Sequence, residues 1–366
     1  MDKGDYTKMR VKLEKRLKLF LVFVGCMATT LFWLNLIERK KYKNPSVERQ
    51  QHYQGKNITE HDGTRIRHCT QKERLDHMRH YCNISYLATV KERMKPEGRS
   101  LINDDQRYLL CWMSKAGCTA LKYVILETRG FNQEKQTNRS NINEAHYENT
   151  IKTYGFRYLK SVDKNDRWNI VNNYFNMLAI RHPFDRIVSY YRDKIVDTDR
   201  GSAHPGRAAE ILRYTRPEIF ARNSTFSELK HPQTVLGPPT FEEFMKWLYE
   251  NRVVDEHWNF IIDACHPCAH HWNVILKMET IAVDGKLLLE KIGSNKTSIP
   301  IRHTHRNDID MNYFEKQIPE YRSISGDIIE YLMKSYSTDM EMFGYGWDKQ
   351  TNTAYCRIRT PSGFCC

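Results

Sequence analysis

Two short segments carry the residue types that hold anions. The first is Ser114-Lys115-Ala116-Gly117-Cys118-Thr119-Ala120, set between the apolar run Tyr108 to Met113 and a helical pattern from Thr119 to Glu127. Its glycine and small side chains let backbone amides approach a ligand. The N–H groups and positive dipole end of the following helix favour a negative one. Lys115 adds a mobile point charge and Thr119 a hydroxyl. The spacing is not that of a Walker A loop. The second segment is Arg181-His182-Pro183-Phe184-Asp185-Arg186-Ile187-Val188-Ser189, which follows the apolar run Tyr174 to Ile180. That run suits a buried parallel strand. An arginine at its end can fork onto a phosphate, and Pro183 fits the first position of a helix. Ile187, Val188, Tyr191 and Ile195 then fall at core-facing spacing, with Ser189 about two turns in from Arg181. Either segment alone also fits an ordinary strand–turn–helix with a surface lysine or a salt-bridging arginine. Together, two such turns suit a nucleotide phosphorylated at both ends of its ribose.

The elements that must position these residues are strands alternating with helices, an α/β pattern. The chain has 366 residues and a formal charge of +13, a balance that suits polyanionic partners: nucleic acid, anionic lipid or acidic glycan. Leu19 to Ile37 is free of charge and long enough to span a bilayer. No small-residue cleavage pattern follows it, so it reads as an uncleaved anchor rather than a signal peptide. Seven Lys/Arg precede the span and Arg39, Lys40, Lys41 and Lys43 follow it, which favours a cytoplasmic N-terminus. Asn57, Asn83, Asn138, Asn223 and Asn295 sit in Asn-x-Ser/Thr sequons, and nine of the ten cysteines lie beyond the span. Both features fit an oxidising compartment in which most cysteines pair and at least one stays free or bonds another chain. The expected organisation is a tail over 1–18, an anchor over 19–37, a charged stem over 38–100 that is ordered near Cys69 and Cys82, and one domain over 101–366. Thr240-Phe241-Glu242-Glu243 has the form of a capping box opening an amphipathic helix through Tyr249.

The two segments resemble the co-substrate signatures of the Golgi carbohydrate sulfotransferases, in the branch of the chondroitin/dermatan 4-O-sulfotransferases and the HNK-1 sulfotransferase. Lys115, Gly117, Cys118, Thr119 and Lys122 match the first signature. Arg181, Pro183, Phe184, Arg186, Val188, Ser189, Tyr191, Arg192 and Lys194 match the second. Downstream, Glu256-His257-Trp258, Cys265-His266-Pro267-Cys268 and Lys277-Met278-Glu279-Thr280 are similar to further family elements, as are Tyr336, Asp339 and Phe343-Gly344-Tyr345. The likeness runs from about residue 108 to 346. Ser114 stands where the family has proline, and Ala120-Leu121 where it has Asn-Trp.

The resemblance implies a P-loop-like parallel sheet flanked by helices, and a Golgi single-pass type II membrane protein with a lumenal catalytic domain. It implies 3′-phosphoadenosine 5′-phosphosulfate as donor and a sugar hydroxyl as acceptor, with no metal. Ser114, Lys115, Ala116, Gly117, Cys118, Thr119 and Ala120 would hold the 5′ phosphosulfate. Arg181 and Ser189 would hold the 3′ phosphate, with Pro183 and Arg186 also among the residues that bind the donor. Lys115 would offset charge on the leaving group. Two histidines are candidates for the general base: His146, which lies between the two segments, and His257, which could equally contact the acceptor. Cys265 and Cys268 lack a second ligand pair with zinc spacing, so disulfides of open connectivity are expected. The seven basic and three acidic residues before position 38 account for +4 of the charge, leaving +9 for the rest. Arg207, Arg213, Arg216, Arg222 and Lys230 are candidates for an acidic glycan or proteoglycan. Nucleic acid is not expected as a partner, while a disulfide-linked or non-covalent homodimer is compatible with the odd cysteine. Three functions stay open: sulfation of a chondroitin-type chain, of heparan sulfate or a glycoprotein glycan, or glycan binding without catalysis.

Overall fold

The computed structural model describes residues 68–84, 100–131, 148–197, 204–222, 229–269, 271–300, 315–361 and 363–366. The expected tail, anchor and most of the stem, His146, and the sequons at Asn57, Asn138 and Asn223 lie outside them. Among the described residues no helix is long and apolar enough to cross a membrane.

The central sheet contains β1 (Leu101–Asn103), β2 (Tyr108–Trp112), β3 (Arg157–Tyr158), β4 (Phe175–Ile180) and β5 (Val274–Lys277), in the order β3-β1-β2-β4-β5. Strands β2, β4 and β5 are parallel, with Trp112 opposite Ala179 and Ile180 opposite Lys277. The sheet is mixed rather than all parallel, because β1 runs antiparallel to both its neighbours. Only four residues separate β1 from β2. A link that short reverses the chain, whereas a parallel pair needs a long crossover.

The continuous apolar runs of β2 and β4 are buried on both faces. Leu109, Cys111, Leu178, Ile180 and Ile275 enter one core. Their alternating neighbours Leu110, Trp112, Met177, Ala179 and Leu276 enter the other. The first core is covered by α1 (Gln71–Ile84), α3 (Lys164–Asn173), α4 (Pro183–Tyr190) and α6 (Phe241–Asn251), and the second by α2 (Cys118–Glu127) and α7 (Ile281–Lys291); α5 (Pro205–Thr215) packs on α6. Thr240 caps α6 in a reciprocal box with Glu243. Leu121 is fully buried and Ala120 nearly so, so the Ala-Leu pair occupies core positions of α2.

Helix α1 falls in the part of the expected stem that holds Cys82. It lies within 38–100, yet Leu75, Met78 and Cys82 belong to the first core. Buried Arg74 on the same helix donates to the Ile275 carbonyl (3.1 Å), Asp284 (2.5 Å), Thr280 (3.0 Å) and the Cys366 carbonyl (2.7 Å). Four disulfides join Cys69 to Cys365, Cys82 to Cys268, Cys111 to Cys265 and Cys356 to Cys366. Cys118 is free. Cys265 and Cys268 each pair with a distant partner, which their shared motif did not disclose. Asn83 and Asn295 are exposed.

Candidate active site

Both candidate segments leave the C-terminal ends of neighbouring parallel strands, where ligands of open α/β sheets sit. In the first, the Met113 N–H still pairs with the Ala179 carbonyl (3.0 Å), and the Ala116 N–H closes a turn on Met113 (3.1 Å). Lys115 and Gly117 both take left-handed backbone angles, each with φ of 67°. For a lysine this is a strained conformation of the kind kept at functional sites. Gly117 precedes α2 and no side chain caps that helix, so its leading N–H groups face the loop. Cys118 and Thr119 begin the helix and are half-buried; Ala120 is buried, offering backbone alone.

The Lys115 ammonium pairs with Asp193 at 2.6 Å. Burial holds its pKa below the usual lysine range, and Asp193 works against that shift. Asp193 and Lys194 lie on a π-helical stretch, Tyr191–Val196, that directly continues α4. Such widened turns are rare and recur at functional sites.

In the second segment, Arg181 donates from Nε and Nη2 to Asp185 (3.0 and 2.9 Å). Its Nη1 reaches the Lys115 carbonyl at 3.2 Å. The two segments therefore form one continuous site. Burial disfavours the Arg181 charge, but Asp185 and Glu279 more than compensate and raise its pKa. His182 caps α4 by accepting the Phe184 N–H, and Pro183 opens the helix. Burial pushes the His182 pKa down to about 4. Arg186 is fully buried and donates to the carbonyls of Ser114 (3.1 Å), His257 (3.2 Å) and Asn259 (2.9 Å). It thus ties the first segment to the loop that carries His257. Ser189 is half-buried near the end of α4.

His257 belongs to a compact polar cluster. Its Nδ1 lies 2.6 Å from Asp255, and its ring packs on Tyr190 (4.7 Å between centroids) and His204 (5.5 Å). Burial lowers its pKa. Asp255 opposes the shift, whereas Lys115 and Lys194 reinforce it. Asp255 itself is held below the usual carboxylate range; burial resists this, but His257 and Arg207 prevail. An ionised Asp255 only accepts, so it fixes the neutral ring with a proton on Nδ1 and a basic lone pair on Nε2. The Tyr190 hydroxyl bonds His204 Nδ1 at 3.0 Å. A nearby cavity of about 180 Å³ is lined by Ser114, Glu256 and Asp263, and its acids are of the wrong sign for an anion.

Sequence reasoning missed Asp193, Asp255 and His204. A carboxylate two residues before a candidate base was a usable signal for Asp255. The contact of Asp193 with Lys115 spans 78 positions and had none. Among the basic candidates, Arg216 is committed to Glu243 (2.6 Å), and Arg207 pairs with Asp255 (3.5 Å) while stacking on Trp247. Arg213 donates to the Leu229 carbonyl (2.5 Å).

Residues 98–346 match the profile described as the sulfotransferase family. The chain belongs to the sulfotransferase family. Its curated relatives carry the name expected from the motifs. Carbohydrate sulfotransferase 11 of Mus musculus is 26% identical over 67% of this chain and 66% of its own length. Carbohydrate sulfotransferase 10 of Xenopus laevis is 26% identical over 75% of this chain and 76% of its own. Carbohydrate sulfotransferase 8 of Mus musculus is 28% identical over 74% of this chain and 64% of its own. This member of the family thus spans just under two thirds of the first of these relatives. No solved structure matches it.

Proposed function

We propose that this protein transfers a sulfuryl group from 3′-phosphoadenosine 5′-phosphosulfate to a sugar hydroxyl. The observation that carries the reading is the Arg181–Lys115 contact, which makes one site of two anion-holding loops. The 5′ phosphosulfate lies on Gly117 and the first turn of α2. The 3′ phosphate lies against Arg181 and Ser189. The acceptor oxygen attacks sulfur in line while the bond from sulfur to the bridging oxygen breaks, releasing adenosine 3′,5′-bisphosphate. Lys115 leaves Asp193 for that bridging oxygen and stabilises its growing charge, a task of positioning and electrostatics rather than covalent catalysis. His257 Nε2 takes the hydroxyl proton, and Asp255 stabilises the imidazolium that results. Arg186, Ala116 and Pro183 shape the loops.

Four disulfides and the unbroken apolar stretch 19–37 support a type II anchor with the catalytic domain in the Golgi lumen. The acceptor we assign is a glycosaminoglycan of chondroitin or dermatan type, sulfated at a 4-hydroxyl. The motif likeness and the +9 charge support it. The test is incubation of the full chain with sulfur-labelled donor and a panel of chondroitin, heparan and glycoprotein glycans. Label on chondroitin is expected. Label on another glycan alone would move the acceptor, and no transfer despite donor binding would leave a glycan-binding protein.

A further inference from the structure

The turn after β5, Lys277-Met278-Glu279-Thr280, touches both anion-holding loops. On one side, Met278 packs against Gly117: a Cβ placed on that glycine would come within 2.7 Å of the Met278 sulfur. On the other, Glu279 Oε1 accepts the His182 N–H at 2.7 Å, and its Oε2 accepts the Tyr345 hydroxyl at 3.0 Å. His182 is the residue after Arg181, so this carboxylate pins the backbone from which the guanidinium departs. The back of the turn is held independently. The Lys277 N–H and the Thr280 hydroxyl both bond Asp284 (3.1 and 2.5 Å), which is paired with buried Arg74. Lys277 Nζ donates to the Phe343 carbonyl (2.5 Å) and lies over the Tyr345 ring, 4.7 Å from its centroid. A turn clamped from behind and in contact with both loops in front sets the distance between them.

We infer that this turn gauges the separation of the 5′ and 3′ subsites, and that Glu279 is the positioning residue through which the chain selects a 3′-phosphorylated nucleotide. The inference rests on the donor site proposed above. Glu279 touches no phosphate in this scheme. It acts through His182, by fixing where the Arg181 fork points.

Calorimetric binding of adenosine 3′,5′-bisphosphate and adenosine 5′-monophosphate to the full chain provides the test. The wild type should prefer the bisphosphate. Glu279→Ala should reduce the ratio of the two affinities about tenfold, the scale of one charge-assisted hydrogen bond, by weakening the bisphosphate alone. Glu279→Gln keeps a carbonyl acceptor for the His182 N–H and should recover most of the preference. Tyr345→Phe, which frees one Glu279 oxygen, should lower the ratio about threefold, and it carries the test should Glu279→Ala not fold. An unchanged ratio in these variants, or equal weakening of both nucleotides, overturns the inference. A wild type without preference for the bisphosphate would instead overturn the donor site itself.

Discussion

The two loops proposed to hold the donor are built in opposite ways. The second is over-determined: Arg181 is held by Asp185, its neighbour His182 by Glu279, Gly346 and the cap of α4, and the His182 ring packs against Phe184 and Tyr345. The first is held through its backbone, and its one charged side chain has a single carboxylate partner on an irregular helical stretch. A fixed fork is suited to binding a group that does not change during reaction. A restrained but displaceable ammonium is suited to meeting charge that appears only in the transition state. Under the proposed function, the difference separates binding from rate.

Breaking each side of that contrast should have distinct kinetic signatures. The largest effect belongs to Lys115→Ala, which should lower kcat about 10²–10³-fold with donor affinity nearly intact, as loss of one charge-stabilising donor does. A main effect on donor KM would erase the distinction. Arg181→Ala should act the other way, raising donor KM about 10–100-fold by removing charged hydrogen bonds to a spectator phosphate, with a smaller change in kcat. Nucleotide titration alongside steady-state rates separates the two cases.

Proton transfer should follow pH in a defined direction. The folded His257 pKa lies below the ordinary 6.5, so the ring is the neutral, basic form at pH 7. Accordingly kcat/KM should hold level near neutrality and fall only as the pH drops below about 6.5. His257→Gln should remove that limb together with most of the rate. A limb centred above pH 7 would assign the base elsewhere. The smallest effect is expected from Asp193→Asn: kcat should rise about two- to fivefold with donor KM nearly unchanged, the worth of a partly exposed ion pair. A fall in kcat would show that Asp193 aligns Lys115 rather than restraining it.

What sequence alone conveyed follows from the range of each signal. The runs Tyr108 to Met113 and Tyr174 to Ile180 contain the strands Tyr108–Trp112 and Phe175–Ile180, and the residues after them are turns into helices, because local hydrophobic pattern and turn chemistry decide those features. The Thr240 box is present for the same reason. The partners of Cys265 and Cys268 and the contacts of Asp193 and Glu279 depend on residues tens to hundreds of positions away. Composition and spacing carry no trace of these. Arg186 shows the limit within a motif: its pattern placed it among phosphate contacts, whereas its side chain is buried against three carbonyls.

The cross-links give the recognised stretch a further meaning. A fragment cut to residues 98–346 would keep only the Cys111–Cys265 bond, losing the other three together with α1 and its buried arginine. Family likeness and autonomous folding thus have different borders in this protein. Bacterial cytosol, which leaves thiols reduced, would be a poor host for producing even the longer version.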